Sequence, residues 1–165
     1  MRIRQAVAGD ARGIAEVQVR AWGAAYRGIL PDALIDSLTV GARAARWREI
    51  LAAGASRTSV AFDEDLVVGF CSVFPDARDA DLAAGTAEIA ALYVDPAAWR
   101  RGIGSALLRS GMAVVEGAPL TLWVLEDNVA GRAFYARHGF APDGARREEH
   151  GAGRVRLARP AHRVS

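Results

Sequence analysis

The run from Glu88 to Leu108 constrains the fold more than any other, because it packs a strand, a turn, a glycine loop and a helix start into about twenty residues. Ile89 to Val94 are apolar, β-branched and aromatic, as a strand requires, and Pro96, with no N–H to donate, ends the ladder. Asp95-Pro96 then opens a turn. Beyond it, Ile103, Leu107, Leu108, Met112, Val114 and Val115 recur at helical spacing, so a helix begins near Gly102. The first N–H groups of a helix lack partners within it, and a Ser, Thr, Asp or Asn usually caps them. Here Trp99, Arg100 and Arg101 stand in front instead. Free donors, the positive end of the helix dipole, glycines that admit a ligand to the backbone and a flanking arginine pair together suit a diphosphate. The plainer alternative is a loop glycine pair with solvated arginines.

Two well-known glycine loops fit less well. A Walker loop needs Gly-Lys-Ser/Thr, and the chain contains no lysine. The dinucleotide fingerprint would begin at Gly102 and Gly104 but meets Leu107 where its third glycine belongs, although Glu126 lies about twenty residues on. By contrast, Leu-Tyr-Val-Asp-Pro followed by Trp-Arg-Arg-Gly-Ile-Gly-Ser-Ala-Leu-Leu resembles the acyl-CoA-binding motif of the GNAT superfamily of N-acetyltransferases, whose pattern is Arg/Gln-x-x-Gly-x-Gly/Ala. Trp99 departs from the first slot, while Arg100 and Arg101 keep the basic character.

The resemblance extends over almost the whole chain. Arg2 to Val7 reads as a strand and Asp10 as the cap of a helix whose apolar face is Ile14, Val17, Ala21 and Trp22. Gly23, Gly28 and Pro31 predict a loop over Ala21 to Pro31, followed by helices over Asp32 to Leu38 and Ala42 to Ala52. Thr58 to Phe62 and Leu66 to Phe74 form a hairpin across Asp63-Glu64-Asp65. After the central helix come a strand at Leu120 to Leu125, a short helix at Val129 to His138 closed by Gly139, and a last hairpin between Ala141 and Arg159. This order implies a GNAT fold of the α/β (α+β) class. It consists of a central, twisted, mixed but mostly antiparallel sheet of about seven strands with helices on both faces. We expect a single domain over residues 1–160 and a frayed tail over 161–165. In the family, the strands here placed at Ile89 to Val94 and Leu120 to Leu125 splay apart, and the pantetheine arm lies between them.

Composition narrows the functional classes. The net charge of +2 gives no basic excess for nucleic acid, and no apolar run reaches the length that crosses a membrane. The N-terminus lacks a signal-peptide pattern, so a cytoplasmic protein is expected. Cys71, the one cysteine, lies in an apolar strand and reads as a buried thiol rather than a nucleophile. His138 reads as a helix-dipole partner, and His150 and His162 lack the companions of a metal site, so no metal is expected.

The resemblance implies acetyl-CoA as cosubstrate. It assigns the diphosphate to Arg100, Arg101, Gly102, Ile103, Gly104 and Ser105, and the pantetheine and thioester carbonyl to main-chain groups of Leu92, Tyr93 and Val94. Asn128 and Tyr135, seven apart, resemble the family's closing motif, in which the Asn contacts the pantetheine and the Tyr is the general acid toward the thiolate. Read alone, Asn128 could be a helix cap and Tyr135 a surface ring. Glu88 at the strand head is a candidate general base, with a solvated strand-end charge as the alternative. Trp22 and Tyr26 are candidate acceptor contacts, although Trp22 also suits the core end of its helix. A ribosomal-type N-terminal acetyltransferase would carry Glu five positions before the closing Asn, where this chain has Trp123. The expected activity is therefore transfer of acetyl to a primary amine, small-molecule or peptide, with a homodimer in keeping with the family. The rivals are a non-catalytic acyl-CoA sensor and a dinucleotide-binding module.

Overall fold

The computed structural model describes residues Met1–His162. Its seven strands are β1 (Arg2–Gln5), β2 (Arg57–Asp63), β3 (Leu66–Phe74), β4 (Ala87–Val94), β5 (Leu120–Leu125), β6 (Ala141–Glu149) and β7 (Ala152–Arg159). They form one sheet in the order β1-β2-β3-β4-β5-β7-β6, antiparallel at every step except the parallel pair β4–β5. That pair needs a crossover, which α4 (Ile103–Ala113) supplies.

Helices α1 (Ala11–Tyr26), α2 (Asp32–Ser37) and α3 (Val40–Ala53) precede the hairpin β2–β3, and α5 (Val129–Arg137) follows β5. α1 and α3 cover one face, where Ile14, Val17 and Trp47 pack on Val60 and Phe70. On the other face α4 buries Ile103, Leu107 and Leu108 against Ile89, Leu120 and Leu122, and Phe134 and Tyr135 of α5 join that cluster. α4 lies close to β3 at Gly111, where a Cβ would meet Cys71 Sγ at 3.0 Å and Val73 Cγ2 at 3.1 Å.

The loop expected over Ala21 to Pro31 is mostly helix. α1 continues through Gly23 to Tyr26, so Trp22 and Tyr26 sit one turn apart on it. One glycine among alanines costs only about 1 kcal/mol of helix propensity, less than the apolar face gains by packing. Asp10 does not cap α1 either. Its carboxylate accepts from the Arg4 guanidinium and the Val7 amide.

Two irregularities open the centre of the sheet. In β4, Ile89 pairs with Val73 and Ala91 with Ser72, leaving Ala90 as the extra residue of a bulge. Pairing between β4 and β5 covers only Ala87–Ile89 against Leu120–Leu122, so the strands part where the bulge bends β4 away. Ala90 is exposed in the middle of the sheet as a result. Of the tail, His162 donates its amide to the Gly117 carbonyl at 3.1 Å. Residues 163–165, the end of the expected frayed segment, lie outside the described residues.

Candidate functional site

The gap has two main-chain lips. The Asp95 amide donates to Val68 O at 2.8 Å, which makes Asp95, Tyr93 and Ala91 the residues bonded to β3. By the alternation of an antiparallel ladder, the N–H and C=O of Leu92 and Val94 then point away from β3, into the gap. Opposite them, Glu126 N donates to Gly153 O on β7, so the Leu125 amide faces the gap. Tyr93, expected to offer its main chain to a ligand, spends it on β3. Its side chain goes to the α1 face, against Phe70.

At the head of the gap stands the N-terminus of α4. Gly102 occupies the cap position at φ +78°, a conformation open to glycine at little cost, and no side chain caps the helix. The first intrahelical bond runs from the Ala106 amide to Gly102 O, which leaves the amides of Ile103, Gly104 and Ser105 without a helical partner. Arg100 is also left-handed, at φ +62°, a costly state for a residue with a Cβ. The Arg101 guanidinium reaches Asp63 at 2.9 Å. Trp99, which is 46% exposed, donates its indole N–H to Val94 O at 2.8 Å and so engages one acceptor on the β4 lip. Ser105 Oγ lies 3.0 Å from His138 Nε2, joining the start of α4 to the end of α5. Burial first, then Arg109, Arg137 and Arg159, hold the His138 pKa below its usual value. The imidazole is thus neutral near pH 7 rather than the cationic dipole partner expected.

Asn128 caps α5, its Oδ1 accepting from the Gly131 amide at 3.0 Å. Tyr135, two turns on, turns its ring into the cluster beneath α4, edge-on to Phe134 and Phe140. Burial, with the neighbouring Cys71 and Tyr93, raises its phenol pKa, so the group keeps its proton. No side chain among the described residues hydrogen-bonds its hydroxyl.

The opposite face of the gap carries Tyr26, whose hydroxyl lies 3.1 Å from that of Tyr93. Burial pushes the Tyr26 phenol upward, and both Tyr93 and Tyr135 are near enough to add to the rise. The Tyr26 and Tyr93 hydroxyls thus meet on the α1 side of the sheet, while the Tyr135 ring lies in the cluster on the α4 side. This cluster was half-hidden in the sequence, where Tyr93 was read for its main chain and not for its hydroxyl. Trp22 packs edge-on to Tyr26 with centroids 5.2 Å apart, and its indole N–H is buried without a partner among the described residues.

Glu88 sits at the closed end of the gap, paired with Thr121. Its side chain is 5% exposed. Its carboxylate takes the Arg78 amide at 3.0 Å and the Arg78 guanidinium at 3.1 and 2.6 Å. The geometry thus departs from that of a cleft-facing base. Arg78 belongs to the loop over residues 75–86, whose sequence has no periodicity to mark it as a partner.

Among the described residues no helix is long and apolar enough to cross a membrane, and no cluster of three or more His, Cys, Asp or Glu side chains suits a metal ion.

A sequence profile described as the acetyltransferase (GNAT) family matches residues 22–140. A search of curated protein sequences returns no match. Among solved structures, the chain is similar to PaiA N-acetyltransferase from Thermoplasma acidophilum in complex with coenzyme A, at 20% identity and TM-score 0.75, covering 98% of each chain. It is also similar to ribosomal-protein-alanine N-acetyltransferase from Brucella melitensis, at 20% identity and TM-score 0.73, over 97% of this chain and 99% of that one. An N-acetyltransferase from Staphylococcus aureus is similar at 19% identity and TM-score 0.73, over 96% of this chain and 100% of that one.

Proposed function

The chain belongs to the acetyltransferase (GNAT) family, which makes it an acyltransferase, and on that premise we propose that it moves the acetyl group of acetyl-CoA to a primary amine by direct attack in a ternary complex. One observation carries the reading: the open edge at Leu92 and Val94 in mid-sheet leads straight from the uncapped N-terminus of α4. Unpaired main-chain groups in a protein interior are costly, so a sheet that keeps them suits a strand-like ligand with its own amides. Pantetheine is such a ligand, and the diphosphate attached to it suits the three free amides of Ile103, Gly104 and Ser105 beside Arg100 and Arg101.

In this reading the Leu92 and Val94 main chains align the arm and polarise the thioester carbonyl. The Trp99 indole shares or yields the Val94 carbonyl as the arm docks. Asn128 Nδ2, left over from the cap, is available to a pantetheine oxygen. Tyr135, protonated throughout the working pH range, gives its proton to the departing thiolate. Tyr26 and Trp22 face the acceptor, and the Tyr93 hydroxyl fixes that of Tyr26. Glu88 acts as a positioning residue that ties the 75–86 loop to β4 through Arg78, leaving deprotonation of the ammonium to water in the cleft.

The deciding experiment is Tyr135→Phe, read both as acetyl-CoA affinity by calorimetry and as single-turnover thiol release with an accepted amine. Affinity should be kept, because the main chain does the binding. The rate should fall by about 10²- to 10⁴-fold, the usual worth of general acid catalysis. An unchanged rate would make the tyrosine structural, and a lost affinity with intact rate at saturation would make it a binding residue.

A further inference from the structure

Of the three arginines on β7, Arg154 and Arg156 lie two residues apart on the acceptor side of the gap and are treated very differently. Arg156, with a side chain 7% exposed, is saturated: Asp79, Asp81 and Asp143 accept from it at 2.6 to 3.1 Å. Arg154 is nearly as buried, its side chain 16% exposed, yet its Nε has no hydrogen-bond partner among the described residues. Glu149 Oε2 lies 3.2 Å from that nitrogen, but the contact is too poorly directed to be a hydrogen bond. The same Glu149 oxygen also lies 3.5 Å from Arg147, and the Glu149 side chain is 42% exposed. Moreover, the β6–β7 register sets Arg147 directly opposite Arg154, an arrangement of like charges that is unfavourable by itself. Arg147 is held in place by stacking over Trp123, 4.2 Å from the ring centroid. Two guanidinium groups on facing strands thus share the one carboxylate of Glu149.

Their position is what makes the deficit informative. Arg154 is the cross-strand partner of Leu125, at the open end of β5, and Leu125 packs in one cluster with Trp22 and Tyr26. Arg154 is also the one positive charge that opposes the burial-driven rise of the Tyr26 phenol. The pair therefore borders the space assigned to the acceptor. Guanidinium groups in a partly dry wall bind oxyanions through paired N–H donors, and burial strengthens the pairing.

Resting on the acetyltransferase reading above, we propose that the acceptor is a small amine bearing a carboxylate, which Arg154 and Arg147 grip while its amine faces the gap. The acceptor class would then be amino-acid-like rather than a polyamine or an aminoglycoside.

The experiment titrates matched pairs into the protein by calorimetry, with and without coenzyme A: glycine and glycinamide, β-alanine and its amide, glutamate and glutamine. Thiol release from acetyl-CoA is followed for the same compounds. The acid of at least one pair should bind at least tenfold more tightly than its amide and be acetylated with a correspondingly higher kcat/KM. Arg154→Gln should abolish the preference and leave coenzyme A affinity unaltered. Arg147→Gln, at a more exposed site, should weaken it in a protein whose folding is not in question. Equal binding of acids and amides, no binding of either, or a preference that survives both substitutions overturns the proposal. Selective binding of the acids by a protein that fails to bind coenzyme A would overturn the acetyl-transfer reading and leave the anion site standing.

Discussion

Gly104 allows stability and binding to be driven in opposite directions by one methyl group. It is the second residue of α4 and faces α5 and β4. A Cβ built there lies 3.5 and 3.6 Å from Phe134 ring carbons and 3.8 Å from Val94 Cγ2, all ordinary contacts. Alanine therefore fits the free protein without rearrangement and should gain helix propensity, up to about 1 kcal/mol, or roughly 2–4 °C in Tm for a chain of this size. In the proposed binding mode the same methyl stands in the trough between the Ile103 to Ser105 amides and the Leu92 edge. Valine adds two methyl groups about 1.5 Å further out, which cannot approach the Phe134 ring without filling that trough. Gly104→Ala should raise Tm while lowering coenzyme A affinity, and Gly104→Val should lower affinity by at least tenfold, about 1.4 kcal/mol. Thermal melts of the free protein and calorimetry with coenzyme A supply the two readings. Wild-type affinity in the valine variant would place the diphosphate elsewhere. A parallel loss of stability and affinity in the alanine variant would show that the substitution damages the fold and would refute the reasoning from contact distances.

Glu88→Gln should leave the pH–rate profile of acetyl transfer in place while making the 75–86 loop easier to cleave in limited proteolysis; a rate lost selectively at low pH would restore Glu88 as the base. Burial works to raise the pKa of Asp10, but the bonds from Arg4 and the Val7 amide prevail and hold it below the usual carboxylate value. Its stabilisation is therefore full above the unfolded value of about 3.9 and is lost as pH falls through the folded value, so denaturant curves of wild type and Asp10→Asn should differ near neutrality and converge in acid. Burial pushes the Cys71 thiol up to about 12. Near pH 8.5 that leaves about three orders of magnitude less thiolate than in a free cysteine, so iodoacetamide should label the unfolded chain and spare the native one.

What could be read from the sequence depended on how local the governing physics is. The β4–loop–α4 unit was legible because Pro96 stops a ladder and Gly102 starts a helix within a few residues of each other. The boundaries of β5 were legible because a run of Leu, Trp and Val, interrupted only by Thr121, lies between Pro119 and Glu126. α1 was cut short because Gly23 and Gly28 look alike in sequence, although only Gly28 has a positive φ, of 85°. The bulge at Ala90 carries no glycine or proline and is set by the register with β3, which no local pattern encodes. Glu88 read as free because its partner Arg78 lies in an aperiodic loop. The Tyr26–Tyr93 bond and the Arg147–Arg154 pair join elements distant along the chain. The local main-chain frame of the β4–loop–α4 unit was thus foreseeable, the Tyr93 main chain apart, and the side chains that meet across the sheet were not.

The short seam between β4 and β5 also bears on how the molecule moves. Sheets ordinarily loosen from their outer strands inward, since an edge has neighbours on one side only. Here Ala87–Ile89 and Leu120–Leu122 are, among the described residues, the only strand pairing that stitches a four-stranded wing to a three-stranded one. Main-chain bonding across the sheet is thinnest at that line, and it is there that the sheet should yield first, with the shared core under α4 holding the wings together. Amide exchange should accordingly be quick at Leu92 and Val94, in mid-sheet, and slow in the flanking hairpins. A ligand that bridges the lips would act as the missing rung and stiffen the whole sheet from its middle.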